Sequence, residues 1–439
     1  MTTPTRPTVF AAAALLSALF FLPVAAWRGA PAFAVEVTDA PASKSHRRLV
    51  DQGEQVAAAQ RRGKKPPPSA TKTEPQLPPR VPFTAADDAA AIVPGIEGAR
   101  FWADSLADFK AALPAKPGPW LALSSGGEDG AFGAGLLNGL SAAGKRPDYT
   151  VITGVSTGAL MAPFIFAGRA YDDELHTTYT KVSSADIFEA GRTPESFVDS
   201  WPLKELLVKK VTPALLADVA AAHRSGRRLF VVTTDLDAER SVVWNMGVIA
   251  ANGSEAALKL FRSVLLASAA VPGGFPPVLI DVEANGKHFA EMHVDGGVGG
   301  QFFVAPAPLM MPTSDYRLPA TQLYVIINTG LERDFAVVER FVPSILTQAV
   351  AAAVKVDTRL MLNLAYTVAK RSGVGFNVAS IPPSFNVKSN GPFDPAYMSA
   401  LFQRGYEQGQ SATPFSNEPP PYPPEPARQS GQVEKSGVN

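Results

Sequence analysis

The sequence contains no cysteine among its 439 residues. This absence excludes disulfide bonds, thiol catalysis and cysteine ligands for a metal ion. The sequence also has no excess of positive or negative charge, because 40 basic residues balance 40 acidic ones. A nucleic-acid site needs a concentrated positive field, and this composition gives no basis for one. The apolar fraction of 46% predicts a globular fold that its core alone must stabilise.

Proline, by contrast, is abundant, and its 40 residues are too many for one compact fold of this length. Runs of proline follow Lys65 and Glu418. We therefore predict a basic, Pro-rich and disordered linker over residues 35–95 and a Pro-rich disordered tail over residues 411–439. One folded unit remains between them, over residues 96–410.

The first 34 residues predict an export signal. Arg6 supplies a positive start, an apolar run extends over residues 9–27, and Ala32-Phe33-Ala34 is a small-x-small cleavage site. The alternative is an uncleaved membrane anchor, but Pro23 interrupts the run and Arg28 closes it. We therefore predict a protein of the periplasm, the cell envelope or the medium, with an N-terminal anchor if the signal is retained.

Strand and helix patterns alternate through the folded unit. Short apolar runs predict strands at residues 120–124, 149–153, 229–233, 241–245, 288–294 and 323–328. Helical patterns fall at residues 131–143, 159–167 and 256–269, and one long or two shorter helices fall within 337–370. This alternation predicts an α/β fold with a mostly parallel sheet that helices cover on both faces.

Three glycine-containing segments each follow a predicted strand. The first, Ser125-Gly126-Gly127-Glu128-Asp129-Gly130, precedes a predicted helix. Its uncovered N–H groups, beside a helix N-terminus, suit a developing negative oxygen. Glycine-rich turns in this position also bind phosphates or simply reverse the chain, so the segment alone does not decide between them.

The other two segments carry a serine and an aspartate. Gly154-Val155-Ser156-Thr157-Gly158 lies between a predicted strand and a predicted helix, as a nucleophile elbow does. Asp295-Gly296-Gly297 follows the strand at 288–294 and puts a carboxylate on a tight loop. Each pattern is also typical of a purely structural turn.

Together, and in this order, the three segments resemble the patatin-like phospholipase family. Residues 121–127 are similar to the family's first strand and glycine loop, residues 267–278 to its Ser-x-Ala-x-Pro segment, and residues 294–297 to its Asp-Gly-Gly element. The resemblance covers most of the folded unit. It implies a three-layer α/β/α fold with a mostly parallel central sheet.

The resemblance also implies a catalytic dyad without histidine. Ser156 is then the nucleophile, Asp295 the base, and the N–H groups of Gly126 and Gly127 form the oxyanion hole. An exposed aspartate is a poor base, so Asp295 must be partly desolvated and held against the hydroxyl. The remaining motif glycines are Gly130, Gly154, Gly158, Gly296 and Gly297.

The function implied is that of a lipid acyl-hydrolase, a phospholipase A or carboxylic ester hydrolase. The acyl group passes to Ser156 and then to water. The expected partner is a lipid substrate in a membrane surface or lipid aggregate, with no nucleic acid. The resemblance implies no metal ion or organic cofactor.

The sequence departs from the family pattern at two places. Ser125 begins the glycine run where the family usually has glycine, and Glu128-Asp129 replaces a basic residue often found nearby. Carboxylates aimed at an oxyanion oppose catalysis, so we expect this pair to point to solvent or the activity to be altered. Gln301 stands where the family often has asparagine.

Two other functions stay open at this level. An ordinary α/β-hydrolase orders its triad as serine, acid and histidine, and His288 or His293 could complete one with Asp235 or Asp281. Asp295-Gly296-Gly297 has no role in that scheme. The other alternative is a catalytically silent lipid-binding or scaffold protein on the same fold.

Overall fold

A computed structural model describes residues 77–421 of the chain, apart from residues 192, 333, 334 and 336. The predicted export signal, most of the predicted linker and the end of the predicted tail lie outside the described residues. Within the described ranges, no helix combines the length and apolarity needed to cross a membrane.

The centre of the fold is a nine-stranded sheet. In chain order the strands are β1 (Arg100–Trp102), β2 (Gly118–Leu123), β3 (Val151–Val155), β4 (Glu189–Ala190), β5 (Val198–Asp199), β6 (Arg228–Asp235), β7 (Arg240–Asn245), β8 (Val278–Ala284), β9 (Lys287–Asp295), β10 (Ala320–Gly330) and β11 (Gly375–Ile381). The sheet runs in the order β1-β7-β6-β3-β2-β10-β11, and the β8–β9 hairpin joins it through β9 and β6. β4 and β5 form a separate ribbon.

Five adjacent strands, β6, β3, β2, β10 and β11, run parallel, and β7 and β1 extend the sheet in antiparallel pairing. Parallel strands need crossover connections, which helices supply here. The helices are α1 (Ala85–Ala89), α2 (Leu106–Ala112), α3 (Gly130–Ala142), α4 (Thr157–Ala167), α5 (Asp172–Lys181), α6 (Ser184–Ile187), α7 (Trp201–Lys210), α8 (Pro213–Arg224), α9 (Met246–Asn252), α10 (Glu255–Ser268), α11 (Ala307–Met310), α12 (Val342–Ser372) and α13 (Pro395–Gln410).

The sheet separates two hydrophobic cores. Alternate residues of a strand point to opposite faces, and in β2 Leu121 and Leu123 enter one core while Trp120 and Ala122 enter the other. The first core includes residues of α3, α4, α8, α9, α10 and α13, and the second includes residues of α2, α11 and α12. The predicted α/β fold, three layers with a mostly parallel central sheet, is therefore confirmed.

The topology gathers the three glycine-containing segments at one edge. β2 and β3 are neighbours, so the glycine loop and the Ser156 turn both leave the sheet at the carboxyl ends of these parallel strands. β9 ends beside β6, where Asp295 is paired with Thr233. We call this the carboxyl edge; open parallel sheets bind ligands there.

The ordered structure begins before residue 96, where we placed the end of the linker. Thr84 and Asp87 form a capping box at the start of α1, and Asp87 pairs with Lys287 of β9. Arg80 forms an ion pair with Asp237. The predicted linker is therefore too long, because partners distant in sequence hold residues whose own composition suggests a linker.

The predicted tail is corrected in the same way. Ser416 and Val378 of β11 exchange two backbone hydrogen bonds of 2.8 and 2.9 Å. The ring of Phe415 lies 5.1 Å from that of Tyr324 in an edge-on contact. The described residues after 410, up to 421, thus include a segment that pairs with the sheet at Ser416.

Candidate active site

Ser156 lies in a strained turn between β3 and α4. Its backbone has φ 53° and ψ −122°, a conformation that few residues with a side chain adopt. A Cβ on Gly158 would lie 2.5 Å from the carbonyl oxygen of Leu123, and one on Gly154 would lie 2.5 Å from that of Gly158. Only glycine fits either position, so the flanking glycines allow the chain to reverse and present the Ser156 side chain.

The Ser156 hydroxyl meets a carboxylate. Its Oγ lies 2.6 Å from Asp295 Oδ2, and both residues are buried. The Gly297 N–H donates to Asp295 Oδ1 at 2.7 Å, which fixes the orientation of the carboxylate. Burial raises the pKa of Asp295 to about 7, against the smaller opposing effects of these two hydrogen bonds. The structure thus brings together the two residues for which the resemblance implied a dyad.

The glycine loop approaches the same position. Gly127 lines a cavity together with Ser156, and a Cβ on Gly126 would lie 2.1 Å from the backbone oxygen of Asn328. In the described part of the chain, no hydrogen bond occupies the N–H of Gly126 or Gly127. Two N–H donors are therefore available close to the Ser156 turn. Gly130 begins α3, against the Thr157 hydroxyl.

The two single-residue departures from the family pattern contact each other. The Ser125 hydroxyl donates to Gln301 Oε1, and the Ser125 N–H donates to the Gln301 backbone oxygen at 2.8 Å. Gln301 Nε2 donates to the Gly297 backbone oxygen at 2.8 Å. Gln301 therefore links the glycine loop to the loop that follows Asp295.

The acidic pair does not point to solvent, contrary to our expectation. The Phe393 N–H donates to the Glu128 carboxylate, and the Tyr397 hydroxyl donates to Asp129 Oδ1 at 2.5 Å. Burial raises the pKa of both acids, that of Asp129 to about 7. Each carboxylate is thus bonded at the start of α13, so the pair anchors the glycine loop to that helix.

Sequence reasoning missed several residues that fix these loops. The Ser156 N–H donates to Ser268 Oγ at 3.0 Å, and this hydroxyl donates to the Val232 backbone oxygen at 2.7 Å. The Asn328 side chain donates to the Ser124 backbone oxygen at 2.9 Å. Ser268 lies within the Ser-x-Ala-x-Pro segment, which was a usable signal. For Asn328, near the end of β10, the sequence contains no comparable signal.

An apolar cavity of about 110 Å³ opens at Ser156. Aliphatic and aromatic side chains of α4, α7 and the segment after α10 dominate its lining, including Leu160, Phe164, Leu207, Val271 and Phe275. A hydrocarbon chain suits such a lining, because binding removes apolar surface from water. Trp244 and Met246, two further large apolar side chains, are fully buried in the core and do not line this cavity.

No described histidine is hydrogen-bonded to Ser156. His293 is fully buried, with its ring nitrogens beside Thr233 Oγ1 at 2.9 Å and Glu291 Oε2 at 3.1 Å. His288 is exposed and faces Glu283. A histidine-based triad needs a histidine beside Ser156, and none of the described histidines is hydrogen-bonded to it.

One group of described residues could hold a metal ion. Ligand atoms of Asp235, Glu291 and His293 lie within 4.8 Å of one another, in the interior behind Asp295. The Arg100 guanidinium, however, donates to both carboxylate oxygens of Glu291. A cation already neutralises this carboxylate, so the group is explained as a buried ion-pair network.

A family model described as patatin-like phospholipase matches residues 121–308. Among solved structures, the chain is similar to VipD from Legionella pneumophila, with 11% identity and a TM-score of 0.35 over 68% of this chain and 67% of that one. It is also similar to the type III effector protein ExoU, with 13% identity and a TM-score of 0.27 over 68% of this chain. The match spans about half of ExoU, 54% of its chain. The comparison with curated proteins found no match.

Proposed function

We propose that this chain hydrolyses carboxylic esters of phospholipids or related lipids through Ser156 and Asp295, which its match to the patatin-like phospholipase family over residues 121–308 supports. The observation that carries the proposal is the 2.6 Å hydrogen bond between Ser156 Oγ and Asp295 Oδ2. Beside it lie an apolar cavity and the N–H groups of Gly126 and Gly127, which make no hydrogen bond within the described residues. These parts together suit acyl transfer from an ester.

The first half of the reaction forms an acyl-enzyme. Asp295 accepts the hydroxyl proton as Ser156 Oγ attacks the ester carbonyl, and the N–H groups of Gly126 and Gly127 stabilise the oxygen that becomes negative. Loss of one such donor typically costs about 3–4 kcal/mol of transition-state stabilisation. The tetrahedral intermediate collapses, the leaving alcohol takes the proton from Asp295, and the acyl group stays on Ser156.

The second half of the reaction hydrolyses the acyl-enzyme and regenerates the free enzyme. Asp295 takes a proton from water, the hydroxide attacks the acyl carbonyl, and the fatty acid leaves as Ser156 recovers the proton. A base with a pKa near the working pH serves both halves, since it must accept and release the proton in turn. The pKa of about 7 supports this role for Asp295.

The acyl chain is proposed to occupy the cavity. Leu160 and Phe164 come from the helix that begins after Ser156, so the cavity starts where the ester carbonyl would lie. The apolar lining favours long hydrocarbon chains over small polar acyl groups. We also propose export of the chain, which is supported by the composition of residues 1–34 alone.

The test is covalent labelling together with hydrolysis. A fluorophosphonate probe should label the purified full chain and hydrolysis of phosphatidylcholine should be measurable; Ser156→Ala should abolish both. Asp295→Asn should lower both at least about 100-fold, the usual contribution of a general base. Asp281→Asn, at an exposed aspartate of β8, is the matched control and should change neither.

The outcomes separate the alternatives. Absence of labelling with intact binding to lipid vesicles would replace the proposal by a silent lipid-binding protein. Activity that survives Asp295→Asn but is lost in both His288→Ala and His293→Ala would replace it by a histidine-dependent esterase.

A further inference from the structure

The amino-terminal half of α12 lies toward the carboxyl edge of the sheet. At the carboxyl end of α12, Ser372 Oγ accepts from the Leu318 N–H, which precedes β10. Near the middle of the helix, the Arg359 guanidinium donates to the Leu331 backbone oxygen, directly after β10. Residues 342–356 precede Arg359, so the helix begins on the side of the sheet where β10 ends.

This half of the helix carries an exposed apolar stripe. A surface helix normally presents polar residues outward. Here six of the seven exposed positions described between residues 342 and 360 are apolar, and these six follow spacings of three and four residues along one side of the helix. The stripe consists of Val342, Ile345, Ala349, Ala352, Val356 and Leu360. Gln348 is also exposed, one position from the stripe, and Phe341 extends it at the start of the helix.

The lack of charge around the stripe indicates what it contacts. Residues 341–354 contain no charged side chain, and Lys355 and Arg359, beside the end of the stripe, donate to the backbone oxygens of Glu332 and Leu331. A second copy packed along the stripe would need flanking charges to set its register, as in coiled coils, and its two central alanines would bury little area. A lipid surface needs only an uncharged apolar face, with the helix lying in the interfacial plane.

The stripe also belongs to the element that is tied to the candidate active site. Asp357 accepts from the Gln301 backbone N–H. Gln301 in turn bonds to Ser125 and to the Gly297 backbone oxygen. A surface that holds α12 therefore holds the glycine loop and the Asp295 loop at a fixed position relative to it.

We propose that the apolar stripe of α12 binds the lipid surface and sets the carboxyl edge, with Ser156, against it. The inference rests on the proposed function for the identity of the partner. The helix α12 and the apolar cavity lie on opposite faces of the sheet. The carboxyl edge, with Ser156, therefore lies between the cavity and the proposed lipid-binding helix.

The test measures partition onto phosphatidylcholine vesicles by co-sedimentation, in a Ser156→Ala background so that no lipid is hydrolysed. Adding Ile345→Asp and Val356→Asp together should lower partition at least about tenfold, because charge is excluded from the apolar zone. Ile345→Ser should lower it by a smaller factor. Met311→Asp is the matched control, since Met311 is exposed to 48% and Ile345 to 50%, and Met311 lies near the carboxyl end of α12; its partition should not change.

Activity on a soluble ester separates this inference from the proposed function. In the wild-type background, the double variant should hydrolyse p-nitrophenyl butyrate as the parent does and lose hydrolysis of vesicle lipid. A parent that shows no hydrolysis but partitions through the stripe would overturn the proposed function alone. Equal partition of the double variant and its parent would overturn the inference, as would a dimer in light scattering that the double variant abolishes.

Discussion

Asp295→Asn should make the protein more stable at neutral and alkaline pH while it removes the proposed base. Burial raises the pKa of this carboxyl from 3.8 to about 7. The folded state therefore holds the proton more tightly than the unfolded state, and stability falls as the pH rises from 3.8 to about 7. At 1.36 kcal/mol for each pKa unit, the ionised carboxylate costs about 4 kcal/mol above pH 7.

Asparagine fits the same hydrogen bonds without the charge. Its Oδ1 can accept from the Gly297 N–H, and its amide nitrogen can donate to Ser156 Oγ, which turns from donor to acceptor. We expect a gain of about 2–4 kcal/mol at pH 8, with the lower value covering imperfect geometry. For a unit of about 340 residues, this gain raises Tm by about 3–6 °C.

The assay is thermal unfolding of parent and variant in a series of buffers from pH 4 to pH 8. The gain should be largest at pH 8 and should fall below about 1 kcal/mol near pH 4, where the folded carboxyl is neutral and the unfolded one is only about half ionised. Asp281→Asn provides the baseline for an exposed aspartate, with no gain at either pH. A loss of stability at pH 8, or a gain of the same size at pH 4, would refute the assignment of a strained, desolvated carboxylate at position 295.

Three further predictions concern the same site. The kcat/KM for a soluble ester should fall about tenfold per pH unit below about 7, as protonated Asp295 can no longer accept a proton, and a flat profile down to pH 5 would contradict this. Gly158→Ala, whose Cβ would meet the Leu123 oxygen at 2.5 Å, should cost about 3 kcal/mol or more in urea unfolding, against about 1 kcal/mol for Gly144→Ala in open space. Ser268→Ala should leave the Ser156 N–H and the Val232 oxygen without their partner, costing about 1–3 kcal/mol of stability and lowering kcat, and unchanged values would show that the bond does not position the turn.

The strands that could be predicted from the sequence are those with apolar runs or an alternating pattern. β2, β3, β6, β7, β9 and β10 were all predicted within a few residues. The buried parallel strands β2, β3, β6 and β10 are apolar over most of their length, whereas the antiparallel β9 alternates buried and partly exposed residues. β8 was missed although its signal was present: Asn285 and Gly286 both have positive φ, as a two-residue hairpin turn requires. Local pattern therefore carried more information than we used.

α13 could not be predicted in this way. A Cβ on its Gly405 would lie 2.2 Å from the Phe132 oxygen, and one on Gly139 of α3 would lie 2.1 Å from the Tyr406 oxygen. The two helices approach through glycines, which weaken a helix when it is considered alone. The contact with α3 stabilises α13, and a reading of local propensity does not include that contact.

In the candidate site, too, the sequence motifs located the residues of the local turns but not their long-range contacts. The motifs located Ser156, Asp295 and the glycine loop, since each motif is a local requirement of a turn. They could not show that the Glu128-Asp129 pair is bonded at the start of α13, because that helix is more than 260 residues further along the chain. Nor could they show that Ser125 and Gln301, each a departure from the family pattern, contact each other.

These pairings bear on whether the departures oppose catalysis. A carboxylate beside the oxyanion hole is harmful when its charge faces the reacting oxygen, and less so when a donor holds it elsewhere. The Tyr397 hydroxyl and the Phe393 N–H each hold one carboxylate of the acidic pair, and the raised pKa of Asp129 keeps part of its population neutral near pH 7. Gln301 meanwhile fixes the loop from its other end, through Ser125. The departures thus fix the glycine loop between α13 on one side and the Asp295 loop on the other. This arrangement favours a preorganised oxyanion hole over a catalytically silent protein.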